Sequence, residues 1–317
     1  MADDRVMLAS ARKEDPVALI RRLTGRGYSF EMKLDGVRAV LHQSLHPELT
    51  NRTGRKITHR YPDVIAAWRK NRELAGRDVV LDGELVVLTY QGEPVPRGGV
   101  PHFPSIHKRD AQESPADVAR TAAALPATFI PFDILRLDGQ DMRSLPYRAR
   151  RSLLLDVVGI EAAVYGQGDG LELWDTVTHQ RLEGLIAKRD ASTYTVGRST
   201  SWIKIKATRR ALVLAAGYKP GTGARGGLGS ITMAVWSPED GRLVEVGHVG
   251  TGFTAIQLRS LQRRLDEFHA SGGAGEALVL EVEFLEVSDS GKLRHPVFVQ
   301  VVPDVAPDAV TLDALLA

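Results

Sequence analysis

Between Val79 and Leu88 the chain reads Val-Val-Leu-Asp-Gly-Glu-Leu-Val-Val-Leu. This apolar run is interrupted by two acidic residues around a glycine, and it predicts two strand pieces broken at Asp82-Gly83. Tyr28-Ser29-Phe30-Glu31-Met32 is a further apolar-rich strand, with a glycine turn four residues on at Gly36. Phe129 to Leu135, Gly184 to Lys188 and Trp202 to Ile205 predict more strands, and Ala149 to Val158 predicts a helix. In Trp202-Ile203-Lys204-Ile205-Lys206 the alternation is strict, so both lysines leave the strand on one face. Gly92 to Pro115 is rich in Pro, Gly, Ser and His and reads as a long loop with little core of its own.

The pattern changes after Lys206. Ala211 to Ala216, Ile231 to Trp236, Leu243 to Val249, Leu278 to Val287 and Val297 to Val302 are strand candidates separated by Gly-rich or polar turns. One helix interrupts them: Thr254 and Gln257 form a capping-box pattern, and Leu258, Leu261, Leu265 and Phe268 recur at three- and four-residue spacing. Five strands with a helix between the third and fourth predict a small β-barrel of the oligonucleotide-binding (OB-fold) type. The expected fold class is α+β, with a mixed domain over residues 1–207 and the barrel over residues 208–317.

With 317 residues the chain can build two cores, and 43% hydrophobic with 25% charged residues is an ordinary globular balance. No stretch approaches a membrane span, and Met1-Ala2-Asp3-Asp4 lacks signal-peptide character, so a cytoplasmic setting is expected. The absence of cysteine excludes disulfides, thiolate metal sites and cysteine nucleophiles. Lys and Arg total 41 against 39 acidic residues, so any attraction to nucleic acid must come from local patches. Candidates are Arg21-Arg22, Arg148 to Arg151, and Lys204 to Arg210, each of which also reads as an ordinary solvated face. The nine histidines show no metal-ligand spacing, and His102 and His107 are expected to face solvent.

Chemistry concentrates in a few short segments. Lys33-Leu34-Asp35-Gly36-Val37-Arg38 sets a lysine at a strand end, where burial and neighbouring cations can turn an amine into a nucleophile. Arg52, in the turn Asn51-Arg52-Thr53-Gly54, offers a guanidinium to a phosphate. Glu84 lies within an apolar strand, where a carboxylate needs a cation or a ligand. Phe132 reads equally as core or as a stacking surface for a base. Glu183-Gly184 sets another carboxylate beside a strand, ahead of the Lys204/Lys206 pair. Gly221-Thr222-Gly223-Ala224-Arg225-Gly226 has dinucleotide-loop spacing, but a strand follows where that motif needs a helix. It is read as a connector between two barrel strands.

In this order the segments resemble the motifs of ATP-dependent DNA ligases, within the covalent nucleotidyltransferase superfamily. Lys33 to Arg38 matches the nucleophile motif, and Asn51 to Gly54 the next. Leu81-Asp82-Gly83-Glu84, Phe132-Asp133, Glu183-Gly184 and Lys204-Ile205-Lys206 match the later ones. Gly217-Tyr218, Val249 to Phe253 and Leu293 to Phe298 resemble the ligase module of bacterial end-joining enzymes. The resemblance implies an adenylation domain followed by an OB-fold barrel. It implies that Lys33 attacks the α-phosphate of ATP, that Glu31 bonds the adenine amino group, and that Phe132 stacks on the ring. Arg38 and Glu84 are assigned to the ribose side, Arg52 to phosphate, and Lys204 and Lys206 to the AMP phosphate. Glu183, with Glu84, is the implied metal-facing carboxylate, for Mg²⁺. The implied substrate is nicked double-stranded DNA, with repair or end-joining proteins as partners and a monomer as the working unit. No additional DNA-binding domain or zinc module is seen, so a minimal ligase near the bacterial nucleoid is expected. The alternatives are an RNA ligase or capping-type nucleotidyltransferase, and a DNA-end-binding protein with impaired catalysis.

One motif departs from the family. Where the last one reads Arg-x-Asp-Lys, this chain has Val302-Pro303-Asp304-Val305, keeping the aspartate and replacing both cations. In the family those cations orient the pyrophosphate leaving group; Lys292, Arg294 or His295 are nearby candidates to substitute for them, which the sequence alone does not decide. Losing one preorganised charge of this kind commonly costs on the order of 10²–10³ in rate. Self-adenylation is therefore predicted to be slow while later steps are spared, and rapid single-turnover adenylation at ordinary ATP levels would contradict this.

Overall fold

The computed structural model describes residues 5–12, 14–71, 74, 76–95, 98–159, 168–221, 227–271, 278–288 and 290–316. The glycine loop of residues 222–226 lies outside the described residues. The chain divides into two compact units, Met1–Ala207 and Thr208–Ala317. Among the described residues no helix is long and apolar enough to cross a membrane.

The first unit opens with β1 (Met7–Ala11), α1 (Pro16–Leu23), β2 (Tyr28–Met32), β3 (Val37–Gln43) and β4 (Glu48–Asn51). Then come α2 (Pro62–Arg69), β5 (Val79–Val86), the short β6 (Leu88–Tyr90), β7 (Glu93–Val95) and β8 (Val100–Pro101), and helices α3 (Phe103–Asp110) and α4 (Pro115–Ala124). It finishes with β9 (Thr128–Leu137), β10 (Gln140–Asp141), α5 (Tyr147–Val158), α6 (Gly170–His179), β11 (Gly184–Arg189) and β12 (Gly197–Lys206). Two large sheets result, ordered β1-β12-β11-β2 and β10-β9-β5-β3-β4, with a small third sheet ordered β7-β6-β8.

The two-residue period of a strand decides what each sheet does with its faces. Leu41, Leu81 and Leu85 turn outward onto α2, α3 and α5. Ile203, Ile205, Leu185 and Ala187 turn outward onto α1 and α6. The residues between them in sequence point the other way. Val40, Val80 and Leu135 thereby meet Met7, Tyr194 and Trp202 in a core between the sheets. Each large apolar side chain so buried contributes about 1.5–3 kcal/mol.

Four expectations are corrected. β5 runs unbroken through Asp82-Gly83, with a register irregularity against β9 at that point. The carboxylate does not break the strand because Arg38 compensates it across the sheet. The segment from Gly92 to Pro115 holds β7, β8 and α3, and α3 buries Ile106 and Arg109 completely. Its apolar stripe is short, and its second buried position is an arginine paired with Asp63 at 2.7 Å, so no hydrophobic period announces it. Arg150 and Arg151 are buried rather than part of a basic surface. His107 is exposed, but His102 is half-buried and bonds Ser105 Oγ at 2.8 Å.

The second unit comprises β13 (Arg209–Pro220), β14 (Leu228–Ser237), β15 (Arg242–Val249), α7 (Ala255–Ala270), β16 (Val279–Phe284), β17 (Val297–Val301) and α8 (Leu312–Leu316). The sheet order is β15-β14-β13-β16-β17. The chain flanking its two edges is joined by Phe298 N–H to the Thr251 carbonyl and Leu293 N–H to the Val246 carbonyl, both at 2.9 Å, which curls the sheet into an OB-like barrel. The helix has its capping box: Gln257 Oε1 accepts from Thr254 N–H at 2.8 Å, and Thr254 Oγ1 accepts from Gln257 N–H at 3.2 Å. Leu261 and Leu265 fill the barrel core.

The Arg150–Asp133 pair is fully buried, with Arg150 Nε at 2.7 Å and Nη2 at 2.9 Å from the two carboxylate oxygens. Arg150→Leu leaves an uncompensated buried carboxylate and is expected to destabilise the first unit by about 3–5 kcal/mol. Urea unfolding of the intact chain measures it, and a loss below about 1 kcal/mol, the size of a surface pair, would refute it.

Candidate active site

Strand ends converge at one edge of the space between the sheets. Lys33 follows β2, and its N–H donates to the Gly184 carbonyl at 2.8 Å. Gly184 has φ +142°, and a Cβ there would lie 2.1 Å from the Ile205 carbonyl oxygen. Only glycine lets the start of β11 approach β12 so closely, and this brings Glu183 alongside Lys33. The Lys33 ammonium donates to Glu183 Oε2, and Lys206 Nζ lies 4.0 Å from Oε1. Gly36 makes a similar approach to β5, where a Cβ would meet the Leu85 carbonyl oxygen at 2.3 Å. The turn delivers Arg38 directly opposite Glu84 in the β3–β5 ladder.

Arg38 grips Asp82 through two bonds of 2.6 Å, while its guanidinium carbon lies 4.5 Å from the Phe132 ring centroid. Asn51 closes an Asx turn by accepting from the N–H groups of Thr53 and Arg55, each at 3.0 Å, and the turn presents an exposed Arg52. On β12 the alternation keeps its promise: Ile203 and Ile205 are covered by helices, and Lys204 faces inward.

These elements enclose a cleft of about 320 Å³. Glu31, Lys33, Arg38 and Arg52 line it, together with Glu84, Phe132 and Lys204. Glu183 and Lys206 adjoin it through their contacts with Lys33 and with each other. The residues that the motifs of the first unit single out for the site therefore line or adjoin one cleft.

Other side chains there were not assigned from sequence. Lys188 is buried, donates to Glu31 Oε2 at 2.6 Å, and lies 4.6 Å from the Phe132 ring centroid and 4.3 Å from that of Trp202. Strand alternation could have revealed it, since Leu185 and Ala187 face outward and Lys188 must face in. Glu31 also accepts from the Tyr147 hydroxyl, so its carboxylate is committed to protein partners. Trp202 lines the cleft, and its buried Nε1 has no protein partner.

Charge is crowded. Burial holds the Lys204 ammonium below its ordinary pKa, and Lys206, Lys33 and Arg198 push the same way. Burial also lowers Lys188, against the pull of Glu31. Desolvation pushes Glu84 up to about 8; Arg38 and Lys33 oppose this, while Glu183 and Asp82 reinforce it. Among the described residues no cluster of three or more His, Cys, Asp or Glu could hold a metal. A site with few carboxylates suits an ion that completes its shell with water and phosphate oxygens, which is the habit of Mg²⁺.

In the second unit, Val302 and Val305 pack against the barrel core, and Asp304 is exposed. Lys292 bonds Glu245 Oε1 at 3.0 Å, and Arg294 is paired with Glu286.

A cation-lined, nucleotide-sized cleft in an α+β unit, followed by an OB-like barrel, defines an enzyme class that handles nucleotides. Residues 6–206 match the family described as ATP dependent DNA ligase domain, and residues 224–305 match ATP dependent DNA ligase C terminal region. The chain belongs to the ATP-dependent DNA ligase family. It is 33% identical over 92% of its length to the multifunctional non-homologous end joining protein LigD of Mycolicibacterium smegmatis. It is 31% identical over 95% of its length to DNA ligase 2 of Methanosarcina acetivorans. It spans 38% and 56% of those two proteins. The solved ligase domain from M. tuberculosis LigD is 28% identical, with TM-score 0.54 and coverage of 98% of this chain and 99% of that one. A mycobacterial DNA ligase D complexed with ATP and MES matches with the same values.

The Glu84 shift has a signed consequence. Below the ordinary glutamate value of 4.5 the carboxyl is protonated folded or unfolded. Between there and about 8 the unfolded chain ionises while the folded protein resists, so stability falls; above about 8 the penalty is constant. Glu84→Gln should therefore raise the thermal midpoint of nucleotide-free, chelator-treated protein increasingly from pH 5 to about 8. A difference that does not vary with pH would contradict the assignment.

Proposed function

We propose that the protein seals nicks carrying a 5′-phosphate and a 3′-hydroxyl in double-stranded DNA, through AMP carried on Lys33. The observation that carries this reading is the Lys33 amine held against Glu183 beside a cleft lined by cations and an aromatic ring. In the first step the Lys33 nitrogen forms a bond to the α-phosphorus of ATP, and the bond to pyrophosphate breaks. Glu183, already accepting from Lys33, is placed to receive the proton that the amine sheds. The 5′-phosphate of the nick then displaces Lys33 from AMP, and the 3′-hydroxyl displaces AMP to leave a continuous strand.

The chain's contribution is alignment and charge neutralisation, which is what phosphoryl and nucleotidyl transfer require. Lys204 and Lys206 serve the α-phosphate, Arg52 the outer phosphates, and Phe132 the base. Arg38 and Glu84 hold the ribose side. The unpartnered Trp202 Nε1 and the crowded cations fit a polyanionic nucleotide. Glu183 is the first choice to face Mg²⁺, with Glu84 joining it once ionised; the ion would neutralise phosphate charge. DNA is held mainly through backbone phosphates, so binding weakens steeply with salt. The similarity to proteins named for end joining supports a role in break repair.

Lys33→Ala should abolish labelling of the protein by α-labelled ATP, while the parent chain is labelled and seals a 5′-phosphorylated nick with ATP in preference to GTP or NAD. Undiminished labelling of the variant would overturn the assignment of Lys33.

A further inference from the structure

One wall of the cleft comes from β1, which the reaction above does not use. Leu8 and Ala9 line the cleft, and Met7 is completely buried beside them. As the edge strand of its sheet, β1 pairs among the described residues only with β12, in parallel, and its register shifts between Ala9 and Ser10. Parallel pairing is slightly the weaker kind, so contacts beyond this ladder help to fix the strand.

Ser10 Oγ donates to the Ser199 carbonyl at 2.9 Å and Arg198 to the Ala9 carbonyl at 3.1 Å, and a ring of hydrogen bonds ties the strand to the other sheet. The Met7 N–H donates to the Tyr194 hydroxyl at 3.0 Å. That hydroxyl donates to Asp82 Oδ2 at 2.6 Å, and the same oxygen accepts from Arg38 Nη2 at 2.6 Å. Arg38 Nη2 closes the circuit by donating to the Met7 carbonyl at 3.1 Å. A hydroxyl that accepts from Met7 has one proton to give, and Asp82 takes it. Burial, reinforced by Asp82, keeps the Tyr194 phenol well above its ordinary pKa, so it remains a donor.

We propose that Tyr194 is a positioning residue for nucleotide binding: its hydroxyl locks β1 to the Arg38–Asp82 pair, so that the cleft wall and the cation over Phe132 are set as one unit. This rests on the reading of the cleft as the ATP site. The ring of Tyr194 has a separate packing role, edge-on to Trp202 at 5.8 Å, which phenylalanine preserves. Tyr194→Phe therefore isolates the hydroxyl.

The test follows Lys33 labelling by α-labelled ATP in the intact chain across ATP concentrations, alongside the thermal midpoint and the fraction of molecules labelled at saturation. Losing one buried hydrogen bond used for positioning is expected to raise half-saturating ATP about 3- to 10-fold, with the saturating rate within about twofold. Asp82→Asn should raise it as well, and the double variant should show less than the product of the two effects. A lower thermal midpoint and labelled fraction with half-saturating ATP unchanged would mean a merely structural role and overturn the proposal. So would a double variant equal to the product. A parent chain that takes no label would instead sink the ligase reading itself.

Discussion

Positive charge in a small space is the constraint around which the first unit is organised. Lys33, Lys204 and Arg198 share the cleft and Lys206 adjoins it, and the other three raise the cost of charging Lys204. Such repulsion is tolerable only where carboxylates answer it. Asp82 answers Arg38, Glu31 answers Lys188, and Glu183 stands between Lys33 and Lys206. Each carboxylate holds a cation in a defined place, so the array is preorganised before any anion arrives. A polyphosphate entering the cleft would meet charges already aimed, and would relieve the repulsion they generate.

Much of this was legible in the chain because the period of a strand converts sequence spacing directly into direction. Trp-Ile-Lys-Ile-Lys can place its isoleucines under helices only by sending its lysines inward. The barrel was legible for a related reason: its five strands and capped helix are separated by turn residues, and each is locally consistent. What could not be read depends on partners distant in sequence. Asp82-Gly83 looks like a break until Arg38 arrives from β3 and Tyr194 from ahead of β12. Helix α3 looks like a loop because its buried stripe includes Arg109, which is acceptable only with Asp63 from α2. Arg150 and Arg151 look like surface charge, yet Asp133 and Glu31 draw them inward. In each case a polar residue was buried by a compensation that local pattern does not encode.

The final motif shows the opposite trade. Val302 and Val305, where the motif resemblance leads to an expectation of cations, pack against the barrel core, and the Val302 N–H donates to the Val279 carbonyl at 2.9 Å. Hydrophobic burial there strengthens the barrel in place of the two charges that the motif resemblance leads one to expect. The nearby cations do not stand idle as replacements, because Lys292 and Arg294 are engaged by Glu245 and Glu286. Recruiting either means breaking an ion pair first. The solvent-exposed Lys292–Glu245 pair holds by only about 0–1 kcal/mol, a small obstacle, whereas Arg294 is more enclosed beside Glu286. The larger cost is the loss of preorganisation: a cation that must leave a carboxylate to reach a phosphate contributes less than one already in place. On the proposed reaction, the deficit is expected at the step that expels pyrophosphate, whereas sealing would draw on groups the first unit holds ready.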